Sequence, residues 1–165
     1  MPAPKIAIYT DGAARGNPGP GGYGIVLISG KHRTELSQGY RLTTNNRMEL
    51  MAVIKALEAL KIEGSEVTIH TDSRYVADAV EKGWLHNWVT KNFKGKKNKD
   101  LWLQFLELYK RHNVKLMWIK GHDNHPQNER CDRLAVAASM NPNLMEDDGY
   151  IPESGTGKTD SNGYE

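Results

Sequence analysis

EVTIHTDSRYVADAVEK, residues 66–82, starts as a strand and ends as a helix, and the fold turns on how the chain arrives at it. EVTIHT alternates β-favouring residues, and from Ser73 the spacing becomes helical. Immediately upstream, MELMAVIKALEALK (48–61) has Met48, Ala52 and Ala56 four apart, with Leu50, Ile54 and Leu57 on neighbouring turns. That is the pattern of a largely buried helix. Before it, residues 5–10, 22–29 and 34–42 read as strands, and the short link at 30–33 makes the last two antiparallel neighbours in a three-stranded meander. A strand reached through a helical crossover pairs in parallel, so 66–72 belongs beside 5–10. Downstream, helical stretches from near Trp84 and over 100–112 flank a lysine-rich loop. A strand at 114–119 closes the sheet, and a last helix covers roughly 128–140 before Asn141-Pro142. The expected class is α/β, with a five-stranded mixed sheet that is antiparallel over its first three strands and parallel thereafter.

A chain of 165 residues with 38% hydrophobic content is one domain able to bury its own core. Its single cysteine, Cys131, has no internal disulfide partner, and the sequence shows neither a membrane-length apolar run nor a signal-peptide core. Together these predict a soluble cytoplasmic protein. The net charge of +2 is unevenly spread: residues 144–165 hold six acids and one base, so the body ahead of them carries +7. A basic body suits a polyanionic partner. The Gly-, Ser- and Asp-rich tail is expected to be mostly disordered.

YTDGAARGNPGPGGYG, residues 9–24, places Asp11 at the end of an apolar run before a loop rich in glycine and proline. An Asp-Gly pair there also suits a plain turn. Three more acids stand at element ends with local explanations of their own. Glu49, three residues after Asn46, fits a capping box; Asp72 fits the cap or dipole of the helix after it; Asp132 falls in the first turn or so of the last helix. Together they mean more, because Asp11 and Asp72 close strands inferred to be parallel neighbours while Glu49 and Asp132 open flanking helices. C-terminal strand ends are where open α/β sheets bind ligands. Carboxylates converging there repel one another unless a divalent cation neutralises them, and an all-oxygen set suits Mg²⁺ or Mn²⁺. His122-x-x-His125 offers a zinc-like spacing, but there is no cysteine pair and Cys131 falls inside a helix, which disfavours zinc. A loop histidine near acids suits proton shuttling instead.

TDGAARGNPGPGGYG, TTNNRMEL, TDSRYV and GHDNHPQNERCD follow one another in this order, and through them the chain resembles a bacterial type 1 ribonuclease H over residues 1 to about 143. The resemblance implies a ribonuclease H-like fold with helices on both faces of the sheet. It implies cleavage of the RNA strand of RNA–DNA hybrids with two divalent ions, Mg²⁺ with Mn²⁺ as substitute, leaving 5′-phosphate and 3′-hydroxyl ends. By the same resemblance, Asp11, Glu49, Asp72 and Asp132 are the metal-binding catalytic carboxylates, His122 the flexible-loop histidine and Glu129 an acid near the metal site. Asn17, Asn45 and Arg74 match positions that reach the minor groove, where the 2′-hydroxyl and groove shape distinguish hybrid from DNA. Thr44 matches a residue on a DNA-strand phosphate. Asn17 equally suits the turn before Pro18, and Thr44 and Asn45 the start of a helix. Arg74 stands where many members carry glutamine, and Asp123 adds charge beside His122.

GWLHNWVTKNFKGKKNK, residues 83–99, interleaves Trp84, Trp88 and Phe93 with lysines. It is read as a basic protrusion in which Trp88, Lys94, Lys96 and Lys97 contact nucleic acid; a solvated loop with tryptophan in the core is the alternative. The expected organisation is a catalytic domain at 1–143 with its protrusion at about 83–99, then the acidic tail at 144–165. The leading function is a monomeric, hybrid-specific endoribonuclease. A hybrid-binding module without catalysis and a metal-dependent DNA-processing nuclease are the alternatives.

Overall fold

The computed structural model describes residues 3–121 and 124–152. Five strands, β1 (Lys5–Ala14), β2 (Gly19–Ser29), β3 (His32–Thr43), β4 (Glu66–Thr71) and β5 (Asn113–Trp118), form one sheet in the order β3-β2-β1-β4-β5. The first three are antiparallel neighbours, and β4 pairs in parallel with both β1 and β5. This is the mixed sheet expected from the helical crossover. The helices are α1 (Asn45–Glu58), α2 (Arg74–Glu81), α3 (Trp84–Thr90), α4 (Lys99–Tyr109) and α5 (Pro126–Ser139). Among the described residues no helix is long and apolar enough to cross a membrane.

Strand pleating assigns the two faces. Gly12 and Gly21 turn toward Met48 of α1, while Gly22 and Gly24 turn toward α5. The main core lies on the α1 side around Ile8, Ile25, Ile54, Ile69, Trp102 and Phe105. On the other side α5 sits so close that a Cβ added at Gly24 would collide with the Cys131 carbonyl oxygen. Gly24→Ala is therefore expected to push α5 off the sheet and cost about 1–3 kcal/mol, read as a lower urea midpoint at unchanged m. An unchanged midpoint would mean that α5 shifts without cost.

Several boundaries depart from expectation. The glycine-rich stretch after Asp11 is a continuing hairpin, with Gly12, Ala13 and Ala14 paired to Tyr23, Gly22 and Gly21. Asp11 is thus not the last residue of its strand; it follows the point where parallel pairing with β4 stops, at Thr10–Thr71. Helix α1 is capped by Thr44, whose hydroxyl accepts the Arg47 N–H at 3.2 Å, and α2 by Ser73, whose hydroxyl accepts from Val76 at 3.2 Å. Glu49 therefore belongs to no capping box, and Asp72 is not a cap. Because α5 begins at Pro126, Asp132 falls in its second turn rather than its first.

Residues 144–150, expected to open a disordered tail, lie against the body instead. Met145 bridges Tyr40, with its N–H on the Gly39 carbonyl at 3.0 Å and its carbonyl accepting from Arg41 at 2.9 Å. Asp147 accepts from Arg47 Nε and from the Thr43 hydroxyl, both at 2.8 Å, and Arg47 also grips Asp100 at 2.9 and 2.7 Å. A buried cation needing two acids orders this segment despite its polar composition. Residues 153–165 lie outside the described residues.

Candidate active site

Three elements bring acids to the place where β1 and β4 part. Asp11 comes from β1, Asp72 follows the last residue of β4, and Glu49 reaches in from the second turn of α1. One carboxylate oxygen from each lies within 4.8 Å of the others. The Gly12 N–H donates to Asp11 Oδ1 at 3.0 Å and also to Glu49 Oε1, joining strand and helix at this point. Only glycine fits here, since a Cβ at Gly12 would run into the Glu49 backbone nitrogen. Asp132 stands outside this group of three but lines the same open depression of about 420 Å³, together with Asn45 and Arg74.

The electrostatics of the group follow from its burial. Asp11 and Glu49 are only 6% and 7% exposed. Desolvation, reinforced by the charges of Asp72 and Asp132 and partly offset by hydrogen bonding to Glu49, pushes Asp11 up to about 8. Desolvation and the neighbouring Asp11 charge hold Glu49 well above the ordinary carboxylate range. Acids this close cannot all ionise in protein alone, and a hard divalent cation reverses that balance. The all-oxygen donor set fits Mg²⁺ or Mn²⁺. Zinc finds no thiolate here: Cys131 is buried, its Sγ donates to the Tyr9 carbonyl at 3.2 Å, and burial pushes its thiol up to about 12.

Around the acids, Asn45 Oδ1 accepts the Ala14 N–H at 2.6 Å and Asn17 Oδ1 accepts the Asn45 N–H at 3.0 Å. These bonds tie the hairpin tip to the head of α1 through the carbonyl side of each amide. Thr44 is the α1 cap, as its position at a helix start allowed. Arg74 stacks on Trp118, a residue that the sequence reading passed over: the guanidinium carbon lies 3.9 Å from the ring centroid, and Trp118 Nε1 donates to the Asp72 carbonyl at 3.1 Å. The one available signal was indirect, namely that two parallel strands ending in step would set Trp118 beside the TD of 71–72. Glu129 is half-buried one turn before Asp132, and it neither joins the group of three nor lines the depression. His122 and Asp123 lie outside the described residues; the preceding Gly121 lies against Asp72, where a Cβ would be 2.8 Å from Oδ2.

The protrusion pairs a largely buried ring with outward-facing cations. Trp88 is 7% exposed and packs edge-on against Trp102 at 5.8 Å between centroids, so most of its ring belongs to the core. Leu85 and Trp88, three apart on α3, turn inward together. The cations stay outside: Lys94 is exposed, Lys96 and Lys97 are half-buried, and Lys96 Nζ lies 5.2 Å from the Trp88 ring centroid.

The RNase H family model matches residues 3–140, from the first strand through the last helix. The ribonuclease H of Rippkaea orientalis (strain PCC 8801 / RF-1) is 54% identical over 151 residues, covering 88% of this chain and 92% of that protein. Among solved structures, LC9-RNase H1, a type 1 RNase H with the type 2 active-site motif, is 33% identical at a TM-score of 0.77, over 85% of this chain and 74% of that one. LC11-RNase H1, solved in complex with an RNA/DNA hybrid, is 27% identical at a TM-score of 0.63, over 82% of this chain and 96% of that one. Similarity of this extent, over a family model that spans residues 3–140, means that the chain belongs to the RNase H family as a bacterial type 1 member.

Proposed function

We propose that this ribonuclease H hydrolyses the RNA strand of RNA–DNA hybrids as a metal-dependent endonuclease, leaving 5′-phosphate and 3′-hydroxyl ends. The observation that carries the reading is the convergence of Asp11, Glu49 and Asp72 within 4.8 Å, beside Asp132, in an open depression. In this reading those four acids hold two Mg²⁺ ions, with Mn²⁺ able to replace them. Bound there, the ions supply activation of water for in-line attack on phosphorus and stabilisation of the departing 3′ oxygen. The Gly12 amide keeps two of the acids, Asp11 and Glu49, in place. His122, the sequence neighbour of Gly121, is the proton-moving histidine in this reading, and Glu129 on α5 is its accompanying acid.

Substrate choice falls to donors beside the acids. Asn17 and Asn45 spend their amide oxygens on the scaffold, which leaves their NH₂ groups for minor-groove acceptors and 2′-hydroxyls; Arg74 offers further N–H donors. Thr44, at the head of α1, takes a DNA-strand phosphate. The catalytic body spans 1–143 with its basic protrusion at 83–99, and the tail from 144 is fastened to it as far as 150. In this reading the protein works as a cytoplasmic monomer.

The test is a labelled substrate panel of hybrid, duplex DNA and duplex RNA, each with Mg²⁺ or with chelator. Metal-dependent cutting of the hybrid alone is the expected result. Binding without cutting would leave a hybrid-binding module, and cleavage of duplex DNA would indicate a DNA-processing nuclease. The protrusion is tested separately by replacing Lys94, Lys96 and Lys97 with glutamine. Hybrid binding should weaken and its salt slope flatten by about one for each phosphate no longer neutralised, with turnover at saturation retained. An unchanged slope would count against the protrusion as a contact surface.

A further inference from the structure

Trp118 closes β5 and pairs across the ladder with Thr71, the residue before Asp72. Its indole makes two contacts at once. The ring face receives the Arg74 guanidinium at 3.9 Å, and Nε1 donates to the Asp72 main-chain carbonyl at 3.1 Å. The next residue secures the same junction, with the Ile119 N–H on the Thr71 carbonyl at 2.9 Å. Trp118 is 39% exposed and Arg74 is exposed, so core packing holds neither side chain, and the stack itself defines where the guanidinium sits.

We infer that Trp118 is a positioning residue that sets Arg74 in register with Asp72, so that a groove contact and the cutting centre move as one unit. The inference rests on the reading of Arg74 as a groove contact. Arginine has a long, flexible stem, and ordering it only on binding weakens affinity; a stack formed beforehand removes that loss. Stacking occupies the flat face of a guanidinium and keeps its in-plane N–H groups available as donors. Glutamine at this position could not be held by a cation–π contact, so the arginine and the tryptophan form a matched pair. The second contact ties that pair to the metal-binding loop, because the indole N–H grips the main chain of Asp72 itself.

The experiment is steady-state cleavage of hybrid by the full chain carrying Arg74→Ala, Trp118→Ala, both together, or Trp118→Phe, with folding checked by thermal unfolding. Arg74→Ala should raise KM several-fold. Trp118→Ala should raise it about two- to fivefold when Arg74 is present and add nothing once Arg74 is gone. Trp118→Phe keeps a ring but loses the N–H, so KM should stay within twofold while kcat falls about two- to tenfold. This split distinguishes positioning from a general loss of structure, and it remains readable if Trp118→Ala fails to fold. A KM effect of Trp118→Ala that persists in the Arg74→Ala background, or a Phe variant with no change in kcat, overturns the inference and leaves the Arg74 reading standing. An Arg74→Ala enzyme of normal KM overturns both, and a wild-type chain that leaves hybrid uncut overturns the functional reading that underlies them.

Discussion

Asp11→Asn is expected to lose hybrid cleavage by about a thousandfold or more and, in chelator, to unfold at a higher temperature than the wild type. On the proposed reading the loss follows from removing a metal ligand, since a bound divalent ion supplies several kcal/mol of transition-state charge stabilisation, at tenfold in rate for each 1.4 kcal/mol. The gain follows from the same geometry. Asp11 is 6% exposed with Glu49 and Asp72 within 4.8 Å, and its carboxyl is pushed from the ordinary 3.8 up to about 8. Below the lower value both folded and unfolded chains keep this proton, so the group imposes no penalty. Between the two values the unfolded chain has released it while the folded chain retains it, so folding loses stability as pH rises; above about 8 the penalty is constant. An amide does not titrate. The difference in midpoint between variant and wild type should therefore open between about pH 4 and pH 8 and narrow under saturating Mg²⁺, which binds the wild type more tightly. A gap that is flat in pH, or unaffected by Mg²⁺, would mean that Asp11 carries no such penalty. Full cleavage by the variant would remove Asp11 from the metal set.

How much of this was legible in the chain depended on the range of the interaction that carried the information. Strand and helix order came from local periodicity, and the parallel pairing of β4 with β1 came from the helical crossover between them, so the sheet was readable. The hairpin after Asp11 was not, because Gly12 and Gly21 contribute no side-chain pattern and are strand residues only by virtue of their partners. The burial of Trp88 was hidden for a related reason. Alternating aromatics and lysines look the same whether the rings face substrate or core, and only the α3 surface shared with Leu85, packed toward Trp102, turns this one inward. The Arg74–Trp118 contact joins residues with no spacing relation at all. The acids were easier, since Asp11 and Asp72 sit where two predicted strands stop together and their partners lie in predicted helices. Composition misled most at 144–150, where a polar, acidic run is ordered by one arginine about a hundred residues upstream.

Arg47→Met is expected to cost about 3–5 kcal/mol, on the order of 10 °C in midpoint for a chain of this size, although Arg47 touches no acid of the active site. The guanidinium is 2% exposed and lies 2.7 Å from Asp100 and 2.8 Å from Asp147. Burial favours loss of its proton, but hydrogen bonds to Asp100 and Asp147 outweigh that and keep the cation charged. Remove it, and two acids are left without their counter-charge. The penalties should rank by burial of what remains. Asp147→Asn, whose native side chain is 2% exposed, should cost more than Asp100→Asn, whose native side chain is 37% exposed, and both less than the loss of Arg47. Because a buried ion pair barely repays its own desolvation, Arg47→Met combined with Asp147→Leu should recover most of the loss. Urea or thermal unfolding of the four variants tests this. If the combined variant is no more stable than Arg47→Met alone, the charge left behind is not the cause. The damage then lies in the shape of the strap itself, where Gly149 leaves no room over Asp100 for even a Cβ.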